Sequence, residues 1–341
     1  LELIRIVASR SEVSHIYANT RQRAQLPESA DPPAGPRNEG VIQWNIDLTN
    51  APDLWAAGFN GQGAVIGGQD TGYRWTHSAL KAHYRGWDAQ TETADHDYNW
   101  HDAIHTDGSS CGADSPEPCD DHGHGTHTAG TMVGDDGGTN QIGMAPAARW
   151  IGCRNMNQGY GTPATYSECF QWFLAPTDLA GQHGDPALAP AVINNSWGCP
   201  PAEGCTYPEI LRTVVENVRA AGIVVVASAG NSGSSCATVQ DPPAIYAAAF
   251  TVGATDANDT IAGFSSRGPV TVDGSGRLKP DIAAPGDQII SCAIGGGLVS
   301  NSGTSMACPH MAGVAALMYQ ADPTLTIEQV RLFAEETAKD L

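Results

Sequence analysis

Lysine is almost missing from this chain: its 341 residues include only Lys81, Lys279 and Lys339. Lysine and arginine together number 17 against 37 acidic residues, a formal charge of −20. A surface so acidic argues against nucleic acid and anionic membranes as partners and favours solubility. Scarce lysine also leaves few places for self-cleavage after that residue. No apolar run approaches the roughly 18 residues of a membrane-crossing helix. None of the nine cysteines falls in a Cys-x-x-Cys pair, so zinc or thioredoxin-like chemistry has little support; nine cysteines in an acidic chain point to an oxidising exterior. The chain opens without Met and without a charged-then-apolar leader, so a signal peptide is expected to lie outside it and some segment to precede Leu1. What is present is 41% hydrophobic and 16% charged, the balance of a globular chain with a sizeable core in one large domain or two.

Within that core-forming sequence one hydroxyl stands out. Gly303-Thr304-Ser305-Met306-Ala307-Cys308-Pro309-His310 leads into an apolar run that reads as a buried helix, placing Ser305 at its N-terminus. Free backbone N–H groups and the helix dipole favour negative charge there, which is what an acyl-transfer oxyanion needs. Taken alone, Gly-Thr-Ser before a helix is an ordinary cap. Two distant stretches change that reading: Asp70-Thr71-Gly72 ends the apolar strand Ala64–Gly68, and His122-Gly123-His124-Gly125-Thr126-His127 opens another helix. A serine becomes a nucleophile when a histidine takes its proton, and that histidine needs a carboxylate to fix its tautomer. His124 and His127 could also suggest metal, but no third or fourth ligand sits at zinc spacing, and His127 reads as a structural neighbour. The flanking His122 is expected on an exposed loop.

The motifs Asp-Thr-Gly, His-Gly-Thr-His-Thr-Ala-Gly-Thr and Gly-Thr-Ser-Met-Ala-Cys-Pro-His, in that order, resemble the subtilisin-like serine proteases, and the likeness runs from about Val41 to the end. A fourth motif agrees: Ala227-Ser228-Ala229-Gly230-Asn231-Ser232-Gly233 follows an apolar strand, as the family's oxyanion asparagine does. The resemblance implies a secreted bacterial serine endopeptidase. In it Asp70 orients, His124 acts as base and acid, Ser305 forms an acyl-enzyme and Asn231 donates to the oxyanion. It further implies that Ser196, Trp197, Gly198, Gly230 and Gly159 contact substrate. The family's primary specificity pocket is walled by segments matching 196–198 and 229–231. Counting back from Pro243, matched to the family's pocket proline, puts Asp241 at the pocket base. Two preferences stay open: basic residues, if Asp241 faces the pocket, or the broad aromatic and aliphatic taste of subtilisins, if it turns outward.

The family likeness also sets expectations for ions and partners. No metal or other cofactor is expected at the reacting centre. The tight calcium site of some members is expected to be missing, because Ala79 and Gly137 stand where those members carry Asp and Asn; Asp135 and Asp136 leave room for a weaker site. Protein or peptide substrates and the chain's own propeptide are the expected partners, with no nucleic acid, no membrane, and a monomer. Two other classes fit the motifs less well. An inert scaffold would show an altered triad or oxyanion residue, and none is altered. An esterase-type hydrolase would have its histidine last in order, and here histidine precedes serine.

In chain order, residues 1–23 are expected to be the remnant of an inhibitory propeptide and 24–40 a proline-rich linker holding the maturation site; 41–341 is the catalytic domain. Leu1–Ile6 alternates apolar with polar, and an ordinary N-terminal strand is the alternative to the propeptide remnant. Helices are expected over 50–58, 124–133, 165–180, 208–221 and from the Thr326 capping box to 338, with strands over 64–68, 148–153, 191–195, 223–227 and 248–252. The acidic stretch 87–121 shows neither period and reads as a solvated surface loop rather than a calcium loop. Apolar strands alternating with helices imply an α/β fold with a mostly parallel sheet, and the resemblance implies the three-layer subtilisin-like architecture. Cys111 with Cys119, Cys153 with Cys169 and Cys199 with Cys205 are the expected disulfides. Cys308, three residues after Ser305, is the candidate free thiol.

Overall fold

The computed structural model describes residues 2–19, 22–23, 41–107, 109–137 and 140–340. The expected linker over 24–40 lies outside the described residues. Seven strands form the central sheet, in the spatial order Ile282–Pro285, Ala249–Thr255, Val224–Ser228, Val192–Asn195, Val65–Asp70, Arg149–Arg154 and Trp100–Asp102. Every neighbouring pair is parallel. Alternate residues of one strand serve opposite layers, as the period of two requires. Val224 and Val226 pack with Ala129, Met132, Ala307 and Ala312 of the helices His124–Val133 and Thr304–Ala321. Val225, between them, packs with Phe170, Phe173, Val215 and Val218 of the helices Pro163–Leu174 and Arg212–Ala220. The fold is therefore α/β in three layers, with both sheet faces buried.

Topology decides where a site can form. From Val65–Asp70 the sheet grows to one side through Arg149–Arg154 and to the other through Val192–Asn195. The chain changes direction between those neighbours, and a crevice opens at the carboxyl ends of strands at such a switch point. Asp70 ends the central strand, and Ser196 follows directly after the end of its neighbour.

Several expected boundaries shift. The acidic stretch 87–121 is not wholly irregular, because Trp100–Asp102 joins the sheet edge against Gly152–Arg154 with Trp100 buried. The helix expected over 165–180 runs from Pro163 to Leu174. Thr162 caps it, accepting from the Thr165 N–H at 3.2 Å, and Pro176 follows two residues past its end. The N-terminal alternation is a short helix, Glu2–Ala8, with Leu3, Ile4 and Ile6 exposed, rather than a strand. All three expected disulfides form, and Cys236, Cys292 and Cys308 are free.

Candidate active site

The buried strand Val65–Asp70 delivers a buried carboxylate. Asp70 Oδ1 lies 2.7 Å from His124 Nδ1 and accepts the Thr71 backbone N–H at 2.7 Å. Both side chains are wholly enclosed. The contact fixes the imidazole so that Nε2 is the free ring nitrogen, and no described group hydrogen-bonds to it. Close approach is possible because position 125 is glycine: a Cβ there would stand 2.1 Å from the Gly72 carbonyl oxygen and 3.0 Å from Asp70 Cβ. Any larger residue would push the histidine helix off the strand that carries its partner.

Ser305 is the second residue of the helix Thr304–Ala321 and is 4% exposed. Its Oγ donates to the Ser196 carbonyl at 2.9 Å, while Ser196 Oγ donates to the Ser305 carbonyl at 2.8 Å. The nucleophile candidate is thus held against segment 196–198, with its hydroxyl turned to that carbonyl rather than to His124. Asn231 follows the strand Val224–Ser228 and reaches the same helix N-terminus. Its Oδ1 accepts from the Thr304 N–H at 2.9 Å and the Thr304 hydroxyl at 3.0 Å. That leaves the two Nδ2 hydrogens directed away from Thr304. Gly230, at φ +99°, donates its N–H to Thr304 Oγ1 at 3.1 Å.

The other expected substrate residues take different places. The Trp197 ring is buried: its Nε1 donates to the Gln69 carbonyl at 3.0 Å, and the indole stacks on Tyr166 at 4.0 Å between centroids. Only backbone of 196–198 is left to meet a ligand. Gly159 sits with Gln158 at the turn of a hairpin, both at positive φ, between Met156–Asn157 and Tyr160–Gly161. The outer edge of Tyr160–Gly161 is already paired, antiparallel, with Gln22–Arg23. Asp241 packs beside Gly198, 3.2 Å from where a Cβ on that glycine would be.

Sequence reasoning missed Asp120. This half-buried carboxylate accepts the backbone N–H groups of His122 at 3.0 Å, Gly123 at 2.8 Å and Thr126 at 3.1 Å. It also accepts the hydroxyls of Thr71 at 2.9 Å and Thr126 at 2.5 Å. It ties the N-terminus of the histidine helix to the loop after Asp70. Burial raises its pKa, and these hydrogen bonds oppose that rise. The available signal was an acidic residue just ahead of a helix start. His127 is a buried neighbour: burial pushes its pKa down to about 3, and its Nε2 meets the Ile289 carbonyl at 3.1 Å. His122 is half-buried rather than exposed. Cys308 is fully buried with its Sγ 3.7 Å from the Asn195 carbonyl.

Residues 61–341 match the subtilase family. The chain is 38% identical over 354 aligned residues to Bacillopeptidase F of Bacillus subtilis (strain 168), covering 100% of this chain and 23% of that protein. It is 33% identical to Subtilisin DY of Bacillus licheniformis, covering 88% of this chain and 93% of that one. Among solved structures, a cold adapted subtilisin-like serine proteinase superposes with a TM-score of 0.60 at 28% identity, over 83% of this chain and 84% of that chain. The chain spans less than a quarter of Bacillopeptidase F and nearly the whole length of Subtilisin DY.

Proposed function

The chain belongs to the subtilase family, and from that membership we propose that it is a secreted serine endopeptidase working through an acyl-enzyme on Ser305. The observation that carries the reading is the enclosed 2.7 Å contact between Asp70 and His124 Nδ1, set in the same switch-point crevice as Ser305. His124 Nε2 takes the Ser305 proton as Oγ attacks the peptide carbonyl, then returns it to the leaving amine. Asp70 stabilises the imidazolium without itself becoming protonated. The Ser305 N–H and the Asn231 amide donate to the oxyanion, at a helix terminus already favourable to negative charge. Since Ser305 Oγ rests on the Ser196 carbonyl, it must rotate toward Nε2 when substrate backbone docks along 196–198. Apo geometry of this kind is ordinary for catalytic hydrogen bonds.

A fluorophosphonate probe tests the reading directly. It should label the wild-type protein once and leave Ser305→Ala unlabelled. The same substitution, like His124→Ala, should lower kcat by about 10⁶-fold, the size of loss seen when these groups are removed from subtilisin itself. Ser305→Ala retaining a hundredth of wild-type activity would sink the assignment.

The remaining parts of the reading concern the surroundings. Three disulfides support an oxidising, extracytoplasmic location. Residues 1–23 act as part of an inhibitory propeptide; the support is that Gln22–Arg23 lies along Tyr160–Gly161 as an added strand, in the manner of a bound peptide. A tight calcium site is not part of the proposed mechanism. Ala79 offers only a carbonyl, which accepts the Asp135 N–H at 3.1 Å, and Asp136 is engaged by the Asn140 N–H at 2.8 Å and side chain at 2.6 Å.

A further inference from the structure

The loop closed by the Cys199–Cys205 disulfide carries a carboxylate that the chemistry above does not use. Glu203 is fully buried. Its Oε2 accepts the Tyr166 hydroxyl at 2.7 Å, and its Oε1 has no hydrogen-bond partner. A buried carboxylate with one oxygen unfilled is costly, and the cost falls when a cation or donor arrives. A second carboxylate stands near it. Asp241 adjoins Gly198, its Oδ2 3.7 Å from where that glycine's Cβ would be, and its charge acts on Glu203. Burial raises the pKa of both, and no Lys, Arg or His among the described residues offsets either. Burial and the neighbouring Asp241 charge hold the Glu203 proton on, and a cation that entered beside the pair would supply the missing counter-ion and let that proton go.

That site is joined to the nucleophile by direct contacts. Ser305 Oγ donates to the Ser196 carbonyl at 2.9 Å and Ser196 Oγ donates to the Ser305 carbonyl at 2.8 Å; two residues on, Gly198 adjoins Asp241. The Cys199 N–H donates to the Pro242 carbonyl at 2.7 Å, which fixes the base of the Glu203 loop to the residue after Asp241. Tyr166 stacks on Trp197 in the same wall. Gly198 places no side chain between Ser196 and Asp241.

We propose that Asp241 and Glu203 together form the end of the pocket that receives the side chain preceding the cleaved bond, and that this chain cleaves after arginine, and less well after lysine. The proposal rests on Ser305 being the nucleophile. A guanidinium presents five donors in a planar fork and can meet Glu203 Oε1 and an Asp241 oxygen together. An ammonium is a point charge with three donors and fits a two-carboxylate site less completely. Asp241 alone would give a preference for positive charge; Glu203 adds the demand for a second set of donors.

The test compares kcat/KM on peptide p-nitroanilides ending in Arg, Lys and Phe for wild type, Asp241→Asn and Glu203→Gln, each counted by fluorophosphonate labelling. Wild type should turn over Arg best, then Lys, then Phe. The Arg-to-Phe ratio should fall by about 10- to 100-fold in each variant, the worth of a hydrogen bond to a charged group. Wild type that labels but prefers Phe, or an unchanged ratio in both variants, overturns the proposal and leaves the protease reading intact. Wild type that neither labels nor cleaves any peptide overturns both. If Glu203→Gln fails to fold, Asp241→Asn decides alone, because that side chain is only partly buried: an unchanged ratio there is fatal to the idea.

Discussion

At the scale of single residues, Glu203 makes a prediction about stability that is separate from its proposed part in specificity. Burial lifts its pKa from the ordinary 4.5 to about 8, with Asp241 adding to the rise and the Tyr166 hydrogen bond opposing it. Between those two values the folded chain holds a proton that the unfolded chain has released, so stability falls as pH climbs through the window and levels off above it. Glu203→Gln keeps the shape and removes the titration. Wild type should therefore lose stability relative to that variant between pH 5 and pH 9, by an amount on the order of a few kcal/mol. Parallel Tm curves across that range would contradict the assignment. The thiols are a second case. Proximity to Ser305 in sequence suggests that a bulky mercurial at Cys308 would inhibit, but the structure buries that thiol fully, and burial pushes its pKa up to about 12. Cys292 is likewise enclosed and Cys236 exposed. A thiol reagent should titrate Cys236 alone in the native protein and all three after denaturation, without loss of activity in the first step.

At the scale of elements, the histidine helix is held by its first turn. Asp120→Ala removes the acceptor for five donors at once, so the cost should exceed the roughly 0.5–2 kcal/mol of a single cap. It should also lower kcat more than it raises KM, since His124 loses its fixed approach to Asp70; an effect on Tm alone would limit Asp120 to a structural part. This element also shows what a sequence can reveal. The bounds of His124–Val133 were readable because a glycine-rich loop meets a run of small residues, and the parallel strands because Val and Ile crowd 64–68, 191–195 and 223–227. Trp100–Asp102 was not readable: three residues, Trp-His-Asp, carry no period, and only the neighbouring strand makes them a strand. Asp120 and Glu203, the two features that matter most beyond the proposed triad, were hidden for a common reason. Each is a carboxylate whose meaning lies in groups distant in sequence, Thr71 for the one and Tyr166 and Asp241 for the other. Trp197 shows the reverse limit, since its family place was clear and the inward turn of its ring was not.

At the scale of the whole molecule, rigidity comes from a doubly covered parallel sheet and three short-range disulfides, with no bound ion required by the proposed mechanism. Treating the protein with a chelator should leave its Tm within a few degrees; a collapse reversed by micromolar calcium would show a site of the tight kind. The strand added by Gln22–Arg23 to Tyr160–Gly161 has a consequence of a different sort. In the proposed role of residues 1–23 as an inhibitor, the blocking segment belongs to the same chain as the site and faces it at a fixed local concentration, on the order of millimolar, however dilute the solution. Dilution cannot relieve such a block, and a single cut in the connection changes its order from first to second. Before the cut, latency should be independent of enzyme concentration from nanomolar to micromolar; after it, activity should appear on dilution and vanish again when a synthetic peptide of residues 1–23 is added back. A latent form that awakens on dilution without any cut would show that this strand does not govern access to the cleft.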